Sequence, residues 1–300
     1  MARMKGILTI IPLTAFAALI LSVSAINVQA ASDKAKAAFN KGVTAKQGGK
    51  ADEAIAAYKE AIATDPDYVD AYLNLGAVYF EKGSLDDALK AFQSASEKDP
   101  KNAEAFANIG RVQFTKRSYV ESEAAYKKAI ALDEKKPEYL REVGKVYFAR
   151  KAWPELTATC EKLGQMNAAD DQSWYWMGKA YEGQDKTADA LAAFQKSVVA
   201  KPKNYNAHSA MGQIYLQKED YTSAAKEFKA ALAADPKGFK AAYNYAYSVE
   251  TKNPDDYTAN IANWQDFVRV AGANPKAKED VAVATQHIKE LKEAQKAKGK

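Results

Sequence analysis

From Val69 to Lys82 the apolar residues Val69, Tyr72, Leu75, Ala77, Val78 and Tyr79 recur mostly at three- and four-residue spacing. That pattern predicts a helix with one apolar face. Gly83 is expected to stop it, and Ser84 with Asp87 three residues on predicts the N-cap of a second helix. The second helix carries Leu85, Ala88, Leu89, Phe92 and Ala95 before Asp99 and Pro100 end it. A helix pair of this size cannot enclose its own apolar face, so it must stack on neighbours.

The chain supplies those neighbours. Stepping by 34 residues from Gly76 reaches Gly42 behind it and Gly110, Gly144, Gly178, Gly212 and Ala246 ahead, seven registers of one unit. Glycine inside a helix costs about 1 kcal/mol relative to alanine. Its recurrence in six registers implies that a neighbouring helix passes too close for a larger side chain, and Ala88 and Ala95 fit the same requirement. Gly144 is expected to stand at such a closest contact in the fourth register.

This period, with Tyr72, Leu75, Gly76, Tyr79, Ala88, Phe92, Ala95 and Pro100 in that order, resembles the tetratricopeptide repeat (TPR). The resemblance implies an all-α fold: a right-handed superhelical solenoid of about seven helix-turn-helix units with a C-terminal capping helix. The expected organisation is a signal peptide over 1–30 and a solenoid over 31–275. Its repeats are 35–68, 69–102, 103–136, 137–170, 171–204, 205–238 and 239–275, followed by a capping helix and basic tail over 276–300.

The repeats differ in informative ways. The first is small and alanine-rich, with Ala38, Lys41 and Ala45 where bulky groups are expected, as suits a terminal unit with one neighbour. The fourth departs furthest, placing Leu156, Cys160 and Leu163 where alanine, phenylalanine and alanine are expected, so the middle of the array is expected to pack differently. The seventh contains Asn253, Pro254, Asp255 and Asp256, read as a turn ahead of a helix carrying Trp264 and Phe267. Val281, Ala284, Ile288 and Leu291 then form one apolar stripe, which predicts the capping helix, and Lys292 to Lys300 is expected to be a frayed basic tail.

Composition narrows the function classes. The chain has 300 residues, 47% hydrophobic and 27% charged, with too little glycine and proline for disorder. Its formal charge is +5, and loss of residues 1–30 removes Arg3 and Lys5 and leaves +3, too weak a basic balance for nucleic-acid binding. Arg3 and Lys5 precede an apolar run from Ile7 to Val23, and Val28, Gln29 and Ala30 end it with the small residues a signal peptidase reads. The chain is therefore expected to be exported, to a bacterial periplasm or beyond, with cleavage after Ala30 and no membrane span afterwards. An uncleaved N-terminal anchor is the alternative.

Catalytic chemistry is not evident. There are two histidines and one cysteine, with no glycine-rich phosphate loop and no zinc-ligand spacing. His208 stands where the repeat places a bulky aromatic and is expected to be packed. His287 is expected to face solvent, and Cys160 is expected to be a buried free thiol. The chain is read as non-enzymatic, without cofactor or metal.

What remains is binding. In TPR proteins the first helix of each pair lines the concave groove, mainly through its second, fifth, ninth and twelfth positions, and the groove receives a peptide. Carried onto this chain, the resemblance implies a site formed by Phe80, Arg111, Phe114, Arg141, Lys145, Phe148, Tyr175 and Lys179. Its aromatic row would supply most of the affinity, and its cations would select acidic segments or a chain-terminal carboxylate. The TPR domains that clamp chaperone C-termini resemble one another in an asparagine at the ninth position, which no repeat here has. The expected function is thus an exported scaffold or assembly factor whose partners are other proteins. Two alternatives stay open: a self-assembling envelope scaffold, with copies joined through end repeats or Cys160, and a protein that binds or processes an anionic envelope polymer.

Overall fold

In the computed structural model, residues 33–299 are described, and among them the chain is helical with no strand. The expected export segment over 1–30 lies outside the described residues. The chain divides into two compact units, Met1–Tyr139 and Leu140–Lys300.

The first unit contains α1 (33–47), α2 (Ala51–Thr64), α3 (Val69–Glu81), α4 (Leu85–Lys98), α5 (Ala103–Thr115) and α6 (Tyr119–Leu132). Each helix from α2 to α5 packs on the next. The period-34 glycines explain how closely. A methyl group built on Gly76 of α3 would stand 2.7 Å from the Phe92 ring of α4, and those on Gly42 and Gly110 would stand 2.6 Å from Tyr58 and 2.8 Å from Tyr126. Carbon atoms in contact normally lie about 3.5 to 4.0 Å apart. The three rings are almost wholly buried, so each glycine is the floor on which its partner helix sets one aromatic side chain. The expectation of a close neighbour at Gly76 is met, and that neighbour is a ring.

The second unit begins within α7 (Pro137–Arg150) and continues through α8 (Trp153–Gln165), α9 (Asp171–Glu182), α10 (Thr187–Ala200), α11 (Tyr205–Gln217) and α12 (Tyr221–Ala234). It ends with α13 (Phe239–Lys252), α14 (Tyr257–Ala271), a short 3-10 turn at Pro275–Ala277 and α15 (Lys278–Lys298). Gly178 under Phe194 and Gly212 under Phe228 repeat the arrangement, at 2.5 and 2.9 Å. Gly144 does not. Cys160 replaces the ring there, and a methyl group on Gly144 would meet Trp176 of α9 at 3.4 Å and Leu156 at 3.9 Å. This corrects the expectation of a closest contact at Gly144: a small thiol leaves room that a tryptophan from the next pair reaches into.

A second period of 34 lies in the turns. Gly49, Gly83, Arg117, Lys151, Asp185 and Glu219 all adopt positive φ, between 56° and 77°. Only the first two are glycines, although each of these residues closes the turn between the helices of a pair. The residue after each such turn is the N-cap of the second helix, the place the sequence assigns to Ser84. Ser84 stands at the N-cap of α4, but its side chain makes no capping hydrogen bond, whereas Asp220 at the equivalent place accepts one from Ser223 N at 3.0 Å.

At the C-terminal end, Ala284, Ile288 and Leu291 of α15 are buried with Trp264, Phe267 and Ala271 of α14. Asp256 caps α14 by accepting from Ala259 N at 3.0 Å. The tail expected to fray is helical as far as Lys298, because Lys298 Nζ pairs with Asp255 and Gln295 donates to Thr258 Oγ1 at 2.9 Å.

Candidate functional site

The residues singled out in the first unit lie on α3 and α5. Arg111 of α5 sets its guanidinium 4.6 Å from the centre of the Phe80 ring of α3, a cation–π contact between consecutive first helices. Phe80 is half-buried against the cluster of Leu73, Phe92 and Val112, and Arg111 is exposed. Phe114 is half-buried, its ring 5.6 Å from that of Tyr119 on α6.

In the second unit the cations have neighbours of opposite charge. Lys145 pairs with Glu142 and Lys179 with Glu182, each one turn away on its own helix. Arg141 is held differently: it donates from Nη2 to the Ala168 carbonyl at 2.9 Å and brings Nε within 3.5 Å of Asp170. Asp170 is the N-cap of α9 and accepts from Ser173 N at 2.8 Å and Ser173 Oγ at 2.6 Å. Burial pushes the Asp170 carboxyl up, but the Ser173 hydrogen bonds and the Arg141 charge outweigh it and hold the pKa below the ordinary carboxylate value. Arg141 therefore ties α7 to the start of α9. Phe148 packs with Trp153 and Trp176, both at 6.3 Å between ring centres, and Tyr175 lies 5.7 Å from Phe194. Burial, then the nearby Glu182 charge, raises the Tyr175 phenol above its ordinary pKa.

A cleft of about 850 Å³ lies between α13 and α15. Tyr243, Tyr247 and Glu250 line it from α13, Trp264 from α14, and Val283 and His287 from α15. The Glu250 carboxylate accepts from Trp264 Nε1 at 2.6 Å and stands 2.9 Å from His287 Nε2. His287 is thus engaged rather than simply solvated, contrary to expectation. Tyr243, Tyr247 and Glu250 stand at the fifth, ninth and twelfth positions of α13, but the site implied by the sequence included none of them and overlooked the cleft. Its signal was a second stripe on α15, Val283, His287 and Glu290, at three- and four-residue spacing beside the buried one.

The other reactive side chains are packed. Cys160 is 1% exposed, and burial, then the charges of Asp170 and Glu161, pushes its thiol up to about 12. A neutral, enclosed thiol is a poor nucleophile and cannot reach a second chain without local opening. His208 is 8% exposed between Glu227 and the Pro202 carbonyl, packed as expected. Among the described residues no helix is long and apolar enough to cross a membrane.

Comparison with known proteins follows the same repeats. Family models described as TPR repeat match 45–83 and 76–116, and models described as tetratricopeptide repeat match 103–136, 175–239 and 209–262. These ranges do not include 137–174, the stretch that carries Cys160. No curated protein matches the chain. Among solved structures, the C-terminal part of a TPR repeat-containing protein from Cytophaga hutchinsonii is 18% identical. It aligns with 80% of this chain and 98% of its own at a TM-score of 0.67. PilF of Pseudomonas aeruginosa is 19% identical over 71% of this chain and 96% of its own, with a TM-score of 0.57. A MamA protein is 25% identical over 57% and 93%, with a TM-score of 0.53. None of the matching models indicates an enzyme family. The glycine-on-ring helix pairs and these matches have one meaning: the chain belongs to the tetratricopeptide-repeat family, whose members serve in general as scaffolds for protein–protein interaction.

Proposed function

We propose that this chain is an exported scaffold or assembly factor that holds segments of partner proteins against the face presented by its first helices. The observation that carries this reading is the α13–α15 cleft. Tyr243, Tyr247 and Glu250, three of its lining residues, occupy the fifth, ninth and twelfth positions of a first helix. Those are the positions where the family resemblance puts partner contacts, and a cleft of this size suits several side chains of a bound segment.

Energetics support a division of labour on the rest of that face. Exposed ion pairs are worth about 0 to 1 kcal/mol, so Glu142 and Glu182 can release Lys145 and Lys179 to a partner carboxylate at little cost. Burying a whole apolar side chain yields about 1.5 to 3 kcal/mol. Phe80, Phe114, Phe148 and Tyr175 are already half-buried and each would contribute a fraction of that. Export rests on Arg3, Lys5, the run from Ile7 to Val23 and the small residues up to Ala30.

The test is quantitative capture from the native envelope with wild type and a Lys145→Glu/Lys179→Glu variant, alongside N-terminal sequencing of the protein recovered. Reduced capture by the variant and a mature chain beginning at Ala31 are expected. Undiminished capture removes Lys145 and Lys179 from the site, and an intact Met1 removes the cleavage.

A further inference from the structure

We infer that the α13–α15 cleft receives a cationic, apolar segment of a partner protein, one lysine or arginine flanked by aliphatic or aromatic residues. The inference rests on the reading that the first-helix face binds protein segments, and adds the chemistry of the occupant at its C-terminal end.

Charge is the first argument. The chain carries a formal net charge of +5, with 43 lysines and arginines. Yet the residues lining this cleft include Glu250 and Glu290 and neither a lysine nor an arginine. A cationic side chain entering it meets two carboxylates and no lysine or arginine among the lining residues. Glu250 is already fixed by its contacts with Trp264 and His287, and its side chain is 20% exposed. A carboxylate held in place loses little conformational freedom when it gains a cation. Glu290 stands at the rim, within 3.8 Å of His287 Nδ1.

Apolar surface is the second argument. Val283 is 64% exposed and Tyr247 is 43% exposed, two of the few large hydrophobic side chains left in solvent, and both line the same cleft. A lone cation would leave them uncovered, whereas the aliphatic neighbours of a lysine or arginine in a peptide would cover them. Tyr243 and Tyr247 also bring aromatic rings to the cleft, and a cation over such a ring gains about fivefold or less in affinity at exposed sites.

The experiment titrates the mature chain with two short end-capped peptides, one alternating leucine with lysine and the other leucine with glutamate. Val283→Ser, which removes apolar surface without adding charge, and Glu290→Lys are the test variants, both at exposed positions. Val199→Ser on α10, where Val199 is 74% exposed, is the control. The lysine peptide is expected to bind wild type and the control alike, and at least tenfold more weakly to each test variant. The glutamate peptide is expected to bind at least tenfold more weakly to wild type than the lysine peptide does. Equal binding of the two peptides, or equal binding by test variants and control, overturns the inference. So does self-association of wild type that Val283→Ser abolishes, since the occupant is then a second copy. If these fail while Lys145→Glu/Lys179→Glu still reduces partner capture, the binding face stands and only the cationic occupant is lost.

Discussion

Gly178 and Phe194 are pressed together so closely that a single methyl group on the glycine would stand 2.5 Å from the ring. The relationship recurs in both units and makes this glycine a position where the repeat has no room for a side chain. We expect Gly178→Ala to destabilise the protein by about 1 to 3 kcal/mol, the usual cost of overpacking. Gly144→Ala should be neutral or stabilising by up to about 1 kcal/mol, because Trp176 at 3.4 Å tolerates a methyl group and alanine favours the helix. Thermal melts of the two variants should move in opposite directions or differ by several degrees. Equal losses would refute the special packing of the fourth register.

The turn residues offer a route to stabilisation. Arg117, Lys151, Asp185 and Glu219 hold left-handed backbone, which disfavours a side chain by about 1 kcal/mol. Arg117→Gly and Glu219→Gly should each raise stability by a few tenths to about 1 kcal/mol, offset in part by the greater freedom of glycine in the unfolded chain. Denaturant midpoints would show it, and a lowered midpoint would contradict it.

His208 sets a pH dependence. One ring nitrogen stands 2.7 Å from Glu227 and the other 3.1 Å from the Pro202 carbonyl, so only the doubly protonated ring satisfies both acceptors. The hydrogen bond to Glu227 raises the pKa above the ordinary 6.5, burial opposes it, and the Pro202 carbonyl adds to the rise. A raised folded-state pKa gives stability that is complete below 6.5 and is lost as pH climbs through the raised value. The melting temperature should therefore fall over that window, and His208→Gln should flatten the fall. An unchanged slope in the variant would assign it to other groups.

The cations separate by role. Arg141→Ala should cost about 1.5 to 3 kcal/mol, since it breaks the charged hydrogen bond to the Ala168 carbonyl and the ion pair with Asp170 that join α7 to the start of α9. Lys145→Ala, which loses only a pair on its own helix, should change stability by less than about 1 kcal/mol. Similar losses measured by chemical denaturation would contradict this division.

The all-α repeat fold was legible because its signals are local and recur: Gly76 and Phe92 are sixteen residues apart within one helix pair, and the same two roles return every 34 residues. The left-handed turns were not legible beyond Gly83, because Arg117 or Glu219 in that conformation leaves no mark in composition. The misreading at Gly144 has a different cause. Its neighbour Trp176 comes from the next helix pair, and a pattern read one repeat at a time does not register it. The anchoring of Arg141 to Ala168 and Asp170, and the meeting of Glu250 with His287 across 37 residues, escaped for the same reason. Patterns reveal which face a residue occupies, and tertiary contacts determine what it does there.

The central claim is that partners dock on the first-helix face. A photo-cross-linking residue placed at 111 or 247, on that face, should yield partner adducts in the native envelope. The same residue at 120 or 199, where Val120 and Val199 are exposed on second helices, should not. Adducts from 120 or 199, with none from 111 or 247, would contradict the account.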